Sequence, residues 1–162
     1  MIFRYDWASP LGTLRMQMSD DVLTGLYFEN HQPSPKLDAA ACSDRRPFAS
    51  VIQQLEEYFA RDRRCFEIPV QLDGTDFQVA VWRQLLAIPI GETTSYGNLA
   101  ERLDRPRAVR AVGAAVSRNP VSIIVPCHRV VGAAGQLTGF AGGLSRKEKL
   151  LSLEQQRLQP RS

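Results

Sequence analysis

Near residue 74 the chain changes its hydrophobic period, from two to about 3.6. Few architectures accommodate such a switch within 162 residues. Upstream, Leu14-Arg15-Met16-Gln17-Met18 alternates apolar and polar residues, as a half-buried strand does. Val22 to Phe28 reads as the next strand, and Ser9-Pro10-Leu11-Gly12 as a turn. Residues 30–47, with three prolines, read as a loop. Phe48 to Arg61 has helical periodicity through Val51, Ile52, Leu55, Tyr58 and Phe59, and Phe66 to Val70 reads as a closing strand. Downstream of the break at residues 71–75 the pattern is helical. Strands followed by helices predict an α+β chain. It comprises a small N-terminal α/β domain with an antiparallel sheet, residues 1–74, and a mainly helical C-terminal domain, residues 75–162.

In the second half, Thr75 or Asp76 caps a helix carrying Phe77, Val81, Trp82, Leu85 and Leu86. Ser95 caps a short helix reaching Leu103. After the turn at Asp104-Arg105, Pro106 opens another helix to about Ser117. Two short helices joined this way fit a helix-turn-helix. In the second, Val109, Val112 and Val116 form one stripe that should face the core. Arg107, Arg110, Ala111, Ala114 and Arg118 lie opposite. Arginines among alanines suit close approach to a groove flanked by phosphates, or close packing of another helix.

Charge divides at the same place. Residues 1–80 carry a net −4 and residues 81–162 a net +7. No acidic residue lies between Asp104 and Glu148, a stretch with seven cations: Arg105, Arg107, Arg110, Arg118, Arg129, Arg146 and Lys147. Such a run is a solvated basic face or the footprint of a polyanion partner, and its length favours the polyanion. No apolar run approaches the roughly 18 residues of a membrane span. The N-terminus lacks a signal-peptide pattern, so a cytoplasmic protein with no membrane partner is expected. Three cysteines at long spacing, two histidines and no glycine-rich phosphate loop give no seat for a metal or nucleotide cofactor, and none is expected.

The densest chemistry lies at Asn119 to Val130. An apolar β-type run, Ile123-Ile124-Val125, ends at Pro126, and Cys127-His128 follow. A free thiol has a pKa near 8.5, so a nucleophilic Cys127 needs a base. His128 is adjacent, but neighbours on an extended chain point apart, so a turn or a bridging water between them is expected. A lone buried cysteine can equally be inert. On the last helix, from about Gly143, Glu154 falls within the arc of Leu144, Leu150, Leu151 and Leu153. A carboxylate on a buried face needs a partner, and His128 is the candidate; a solvated glutamate at a frayed end is the other reading. Cys42 and Cys65 read as structural.

Together these residues resemble one family, the methylated-DNA–protein-cysteine methyltransferases, or O6-alkylguanine-DNA alkyltransferases, and most of all their bacterial, non-regulatory members. The similarity runs from about residue 75 to 154. It is carried by Phe77-Gln78, Val81-Trp82, Ile88-Pro89-Ile90-Gly91, Thr94-Ser95-Tyr96-Gly97, Arg110-Ala111-Val112-Gly113-Ala114, Asn119-Pro120, Ile124 to Val130, and Gly139 to Leu144. Residues 1–74 match weakly. The resemblance implies a ribonuclease H-like first domain and a winged-helix-like second one. It implies a monomer that binds double-stranded DNA through the minor groove and flips O6-methylguanine, or O4-methylthymine, into a pocket.

By the same resemblance, Arg110 fills the vacated space, with Arg107, Ala111, Ala114, Arg118 and Ser95 on the DNA face. Cys127 takes the alkyl group in one irreversible displacement, His128 takes the thiol proton through a water, and Glu154 orients His128. Tyr96 protonates the departing base and Asn119 braces the turn. Val130, Phe140, Ala141, Gly142 and Ser122 form the pocket, with the Val130 main chain accepting the guanine amino group. Phe140 supplies an aromatic wall without a hydroxyl, and Ala141 only its backbone N–H.

Other readings are separable. A non-catalytic alkyltransferase-like lesion-recognition protein carries tryptophan where this chain has Cys127. A transcription regulator needs polar base-reading side chains on its recognition helix. A thiol hydrolase needs an oxyanion hole and turns over without DNA.

Overall fold

The alternation at residues 14–18 buries Leu14, Met16 and Met18 on one face of a strand, and the N-terminal sheet is built on that face. In the computed structural model, which describes residues 1–32 and 34–157, β1 (Ile2–Ser9), β2 (Gly12–Ser19) and β3 (Val22–Phe28) form an antiparallel meander. Gly12 turns the first hairpin with φ +115, a conformation that side chains disfavour. The Ser9 hydroxyl closes that turn by donating to the Gly12 carbonyl. Helix α1 (Ala49–Phe59) lies after a 3-10 turn at Arg46–Phe48 and buries Val51, Ile52, Leu55 and Tyr58.

Two expectations for this half need correction. The loop at residues 30–47 contains a two-residue strand, β4 (Cys42–Ser43), that pairs parallel with β1 and gives the order β3-β2-β1-β4. Phe66 to Val70 is not a strand: only Val70 makes an isolated bridge, to Leu23. Pro69 cannot donate to a ladder, which limits pairing there. Cys42 and Cys65 are both exposed, so neither is a core residue.

The second half contains α2 (Asp76–Leu86), β5 (Thr94–Ser95), α3 (Tyr96–Arg102), α4 (Val109–Ser117), β6 (Val130–Val131) and α5 (Leu144–Arg157). Thr75 caps α2 through a capping box with Gln78, and the Ser95 hydroxyl caps α3 by accepting from Asn98 N–H. Helix α4 starts at Val109, three residues after Pro106, which sits in the preceding turn. The late start leaves Val109 40% exposed, while Val112 and Val116 are buried as expected. Trp82 of α2 donates its indole N–H to the Ala115 carbonyl at 2.8 Å, pinning α2 against α4. On α5, Leu150 is buried but Leu144 is exposed. Residues 158–162, the end of the expected second domain, lie outside the described residues. Among the described residues no helix is long and apolar enough to cross a membrane.

The halves are joined by backbone as well as side chains. Leu26 N–H donates to the Pro120 carbonyl at 2.9 Å, and Ser122 N–H to the Leu26 carbonyl at 2.8 Å. Strand β3 therefore grips the segment that leads to Cys127. Arg146 of α5 reaches back to the carbonyls of Leu11 and Glu29 at 2.9 and 2.7 Å.

Candidate active site

Asn119, just past α4, organises the segment that carries Cys127. Its Nδ2 donates to the Val125 carbonyl at 2.8 Å, and its Oδ1 accepts from Val121 N–H at 3.0 Å. The residues between do not form the β-type run that their side chains suggest. They turn, with Val125 N–H donating to the Val121 carbonyl and Ile123 at φ +72. A β-branched residue in that region is strained by about 1–3 kcal/mol. Asn119 and strand β3 hold the strain in place.

Beyond Pro126, Cys127–Arg129 form a 3-10 turn. Cys127 is 5% exposed, and burial pushes its thiol up to about 11. A hydrogen bond from Asn119, the Lys147 charge and backbone N–H groups oppose that rise without overcoming it. At neutral pH the free protein thus holds a thiol, not a thiolate.

His128 is fully buried. Its Nε2 lies 2.6 Å from Glu154 Oε2. The Arg129 guanidinium donates to the same carboxylate, from Nε to Oε1 at 2.8 Å and from Nη2 to Oε2 at 3.1 Å. The Tyr58 hydroxyl donates to Oε2 at 2.6 Å. Burial works against this carboxylate, yet His128 and Arg129 hold it down to about 2. An ionised carboxylate can only accept, so Nε2 of His128 must carry the ring proton. In the neutral ring Nδ1 is then the acceptor nitrogen. It is buried and makes no hydrogen bond among the described residues. The cluster thus leaves Nδ1 of His128, the residue after Cys127, without a hydrogen-bond partner among the described residues.

A second set of contacts ties the neighbouring loops together. β5 and β6 pair in parallel, Thr94 with Val130 and Ser95 with Val131. This miniature ladder ties the start of α3 to the strand that follows the Cys127 turn. The Thr138 hydroxyl donates to Tyr96 Oη at 2.8 Å. Lys147, fully buried, donates to the carbonyls of Val130 and Thr138 at 2.5 and 3.2 Å, and burial pulls its pKa down. A groove of about 480 Å³ opens here, with Tyr96, Val109, Gly113, Thr138, Phe140 and Ala141 among its walls. Of the five expected pocket residues, Phe140 and Ala141 line this groove. Val130, Gly142 and Ser122 are buried and do not line it, and the Val130 carbonyl already accepts from Lys147. A carbonyl has a second lone pair, so a further donor can still be accepted.

The basic stretch separates in three dimensions. Arg105, Arg107, Arg110 and Arg118 are exposed, as are Ala111 and Ala114, and Ser95 is half-buried. Arg129, Arg146 and Lys147 turn inward to carboxylate and carbonyl oxygens. The surface cation cluster is therefore smaller than the sequence count, and it is concentrated on and around α4.

Comparison with known proteins follows the same division. Residues 5–72 match the family model described as 6-O-methylguanine DNA methyltransferase, ribonuclease-like domain, and residues 76–156 that family's DNA binding domain. The chain belongs to the 6-O-methylguanine DNA methyltransferase family. Its relatives in this family include the methylated-DNA–protein-cysteine methyltransferase of Mycolicibacterium paratuberculosis, 47% identical over 90% of this chain and 88% of that one. The Mycobacterium leprae protein of the same name is 49% identical over the same shares. A crystal structure of Mycobacterium tuberculosis OGT in complex with DNA superposes with a TM-score of 0.91 at 43% identity, covering 96% of this chain and 94% of that one. The α+β architecture, with a ribonuclease-like first half and a helical second half, is the fold of this methyltransferase family.

Sequence reasoning missed the buried contacts of Tyr58 and Arg129 with Glu154 and of Lys147 with the Val130 carbonyl. A phenol at a core position of α1 was the available signal for Tyr58, because a buried hydroxyl needs a partner.

Proposed function

We propose that the chain repairs DNA by direct reversal, as a single-use methylated-DNA–protein-cysteine S-methyltransferase acting on O6-methylguanine in duplex DNA. The exposed face of α4 enters the minor groove, and Arg110 takes the place of the extruded base. The base enters the groove beside Tyr96. Nδ1 of His128 accepts the Cys127 proton through a water, and the sulfur displaces guanine from the methyl carbon. The C–O bond breaks as the C–S bond forms. Tyr96 supplies the proton with which guanine leaves neutral. Its hydroxyl already accepts from Thr138, which leaves its own proton free to donate.

The thioether is not an activated acyl group, so no hydrolysis follows and each molecule reacts once. Residues 1–74 act as scaffold and residues 75–162 as the DNA-binding and transfer unit, working in the cytoplasm. The observation that carries this reading is the buried His128–Glu154 pair, whose Nδ1 makes no hydrogen bond among the described residues, on the residue that follows Cys127. A non-catalytic lesion-binding role would leave this cluster without a task.

Intact-protein mass spectrometry after mixing with a duplex containing one O6-methylguanine tests the reading. The expected result is a gain of about 14 Da, the mass of one methylene, on the Cys127 peptide, saturating at one per protein. Tight lesion binding with no mass gain would overturn it.

A further inference from the structure

The Glu154 carboxylate receives a donor from the other half of the protein. Tyr58 lies on α1, 96 residues earlier in the chain, is 2% exposed, and places its hydroxyl 2.6 Å from Oε2. That is the oxygen which accepts the His128 Nε2 proton and the weaker of the two Arg129 contacts. The phenol is held by its ring, which packs edge-on to Phe59 at 5.2 Å and tilted against Phe66 at 5.4 Å.

We propose that Tyr58 is a positioning residue for alkyl transfer: its hydroxyl fixes the Glu154 carboxylate and takes up part of the charge that would otherwise act on His128. Three donors share Oε2, and each reduces what that oxygen offers the others. With Tyr58 in place, the imidazolium form of His128 is stabilised less. The ring therefore stays neutral, with Nδ1 free to take the thiol proton, to a lower pH. Glu154 of α5 contacts His128 directly, and Tyr58 of α1 acts on it through that carboxylate. Arg129 and Cys127 flank His128 on the turn, and Lys147 of α5 acts on the cluster through its charge on Cys127. Of these, Tyr58 alone comes from the N-terminal half, which thereby contributes to the chemistry and not only to folding. The inference rests on His128 serving as the base.

The test is single-turnover methyl transfer from an O6-methylguanine duplex, measured across pH, with Tyr58→Phe. The variant keeps the ring packing and removes only the hydroxyl. The acid limb of the rate profile is expected to move up by about one pH unit, the scale of one hydrogen bond to a charged group. Phe66→Leu, which disturbs the same ring cluster without touching Glu154, should lower the melting temperature and leave the limb where it is. A Tyr58→Phe limb that stays put or moves down overturns the inference, whatever the variant does to stability. Glu154→Gln run alongside separates the two failures. If it transfers like wild type, His128 is not the base and the underlying reading falls. If it is crippled while Tyr58→Phe superimposes on wild type, only the role of Tyr58 falls.

Discussion

Replacing Glu154 by glutamine is the most informative single change in the site, because it alters two quantities that the geometry sets separately. The carboxyl is held at about 2, against about 4.3 in an unfolded chain. A depressed acid stabilises the fold above its unfolded pKa and loses that contribution as pH falls through the folded value. The gap of about 2.3 units is worth about 3 kcal/mol at pH 7, and about half of that at pH 3. Glutamine is isosteric, but its amide nitrogen would face the donors on Oε2. His128 Nε2 would have to accept, which moves the ring proton to Nδ1 and removes the base. In a serine protease triad the comparable tautomer change costs about 10⁴ in rate. Urea unfolding at pH 7 and pH 3, with single-turnover methyl transfer at pH 7, reads both effects. Transfer within tenfold of wild type would refute the tautomer reasoning. A stability loss as large at pH 3 as at pH 7 would refute the ionic account of Glu154.

Two further changes probe the nucleophile and the DNA face. Cys127, raised to about 11 by burial, contributes stability that is complete below its unfolded pKa of about 8.5 and is lost as pH rises through the folded value. Between pH 8 and 11 wild type should therefore lose about 3 kcal/mol more than Cys127→Ala in denaturant titrations; parallel losses would mean that the thiol is not desolvated. Arg110→Ala should slow transfer from duplex DNA more than from free O6-methylguanine, and should reduce the salt dependence of binding by roughly one counterion. Equal slowing on both substrates would remove Arg110 from base extrusion.

The parts of this fold that follow local rules were legible. Alternation located β2, and side-chain capping located the starts of α2 and α3. The place of Glu154 on the leucine arc was enough to predict its burial against His128. What failed depended on contacts distant in sequence. Ile123, Ile124 and Val125 have strong strand propensity, yet Asn119 and Leu26 spend their hydrogen bonds on a turn, and a turn forms. Val109 has the right residue type for the core stripe, but α4 begins there, so it opens onto the groove. Charge counting could not separate Arg110 from Arg129 or Lys147, because an inward cation differs from an outward one only by its partners. The stretch from Gly91 to Tyr96 shows no strand pattern either, and the β5–β6 ladder takes only two residues from each side.

The same burial that makes Cys127 a poor nucleophile at rest suits a protein consumed by one reaction. Thiols attack as thiolates. Cys42 and Cys65 sit at the surface, whereas Cys127 is 5% exposed and held as a thiol by a pKa of about 11. A soluble electrophile at neutral pH thus meets the two expendable thiols first. The proposed base, His128, is inside the fold, so on that reading activation does not require the sulfur to face solvent. Iodoacetamide at pH 7.5 should modify Cys42 and Cys65 well before Cys127, with methyl transfer surviving the modification of both. Cys127 reacting in the free protein at the rate of the surface pair would show that its thiol is not shielded, and that selectivity has to come from the DNA alone.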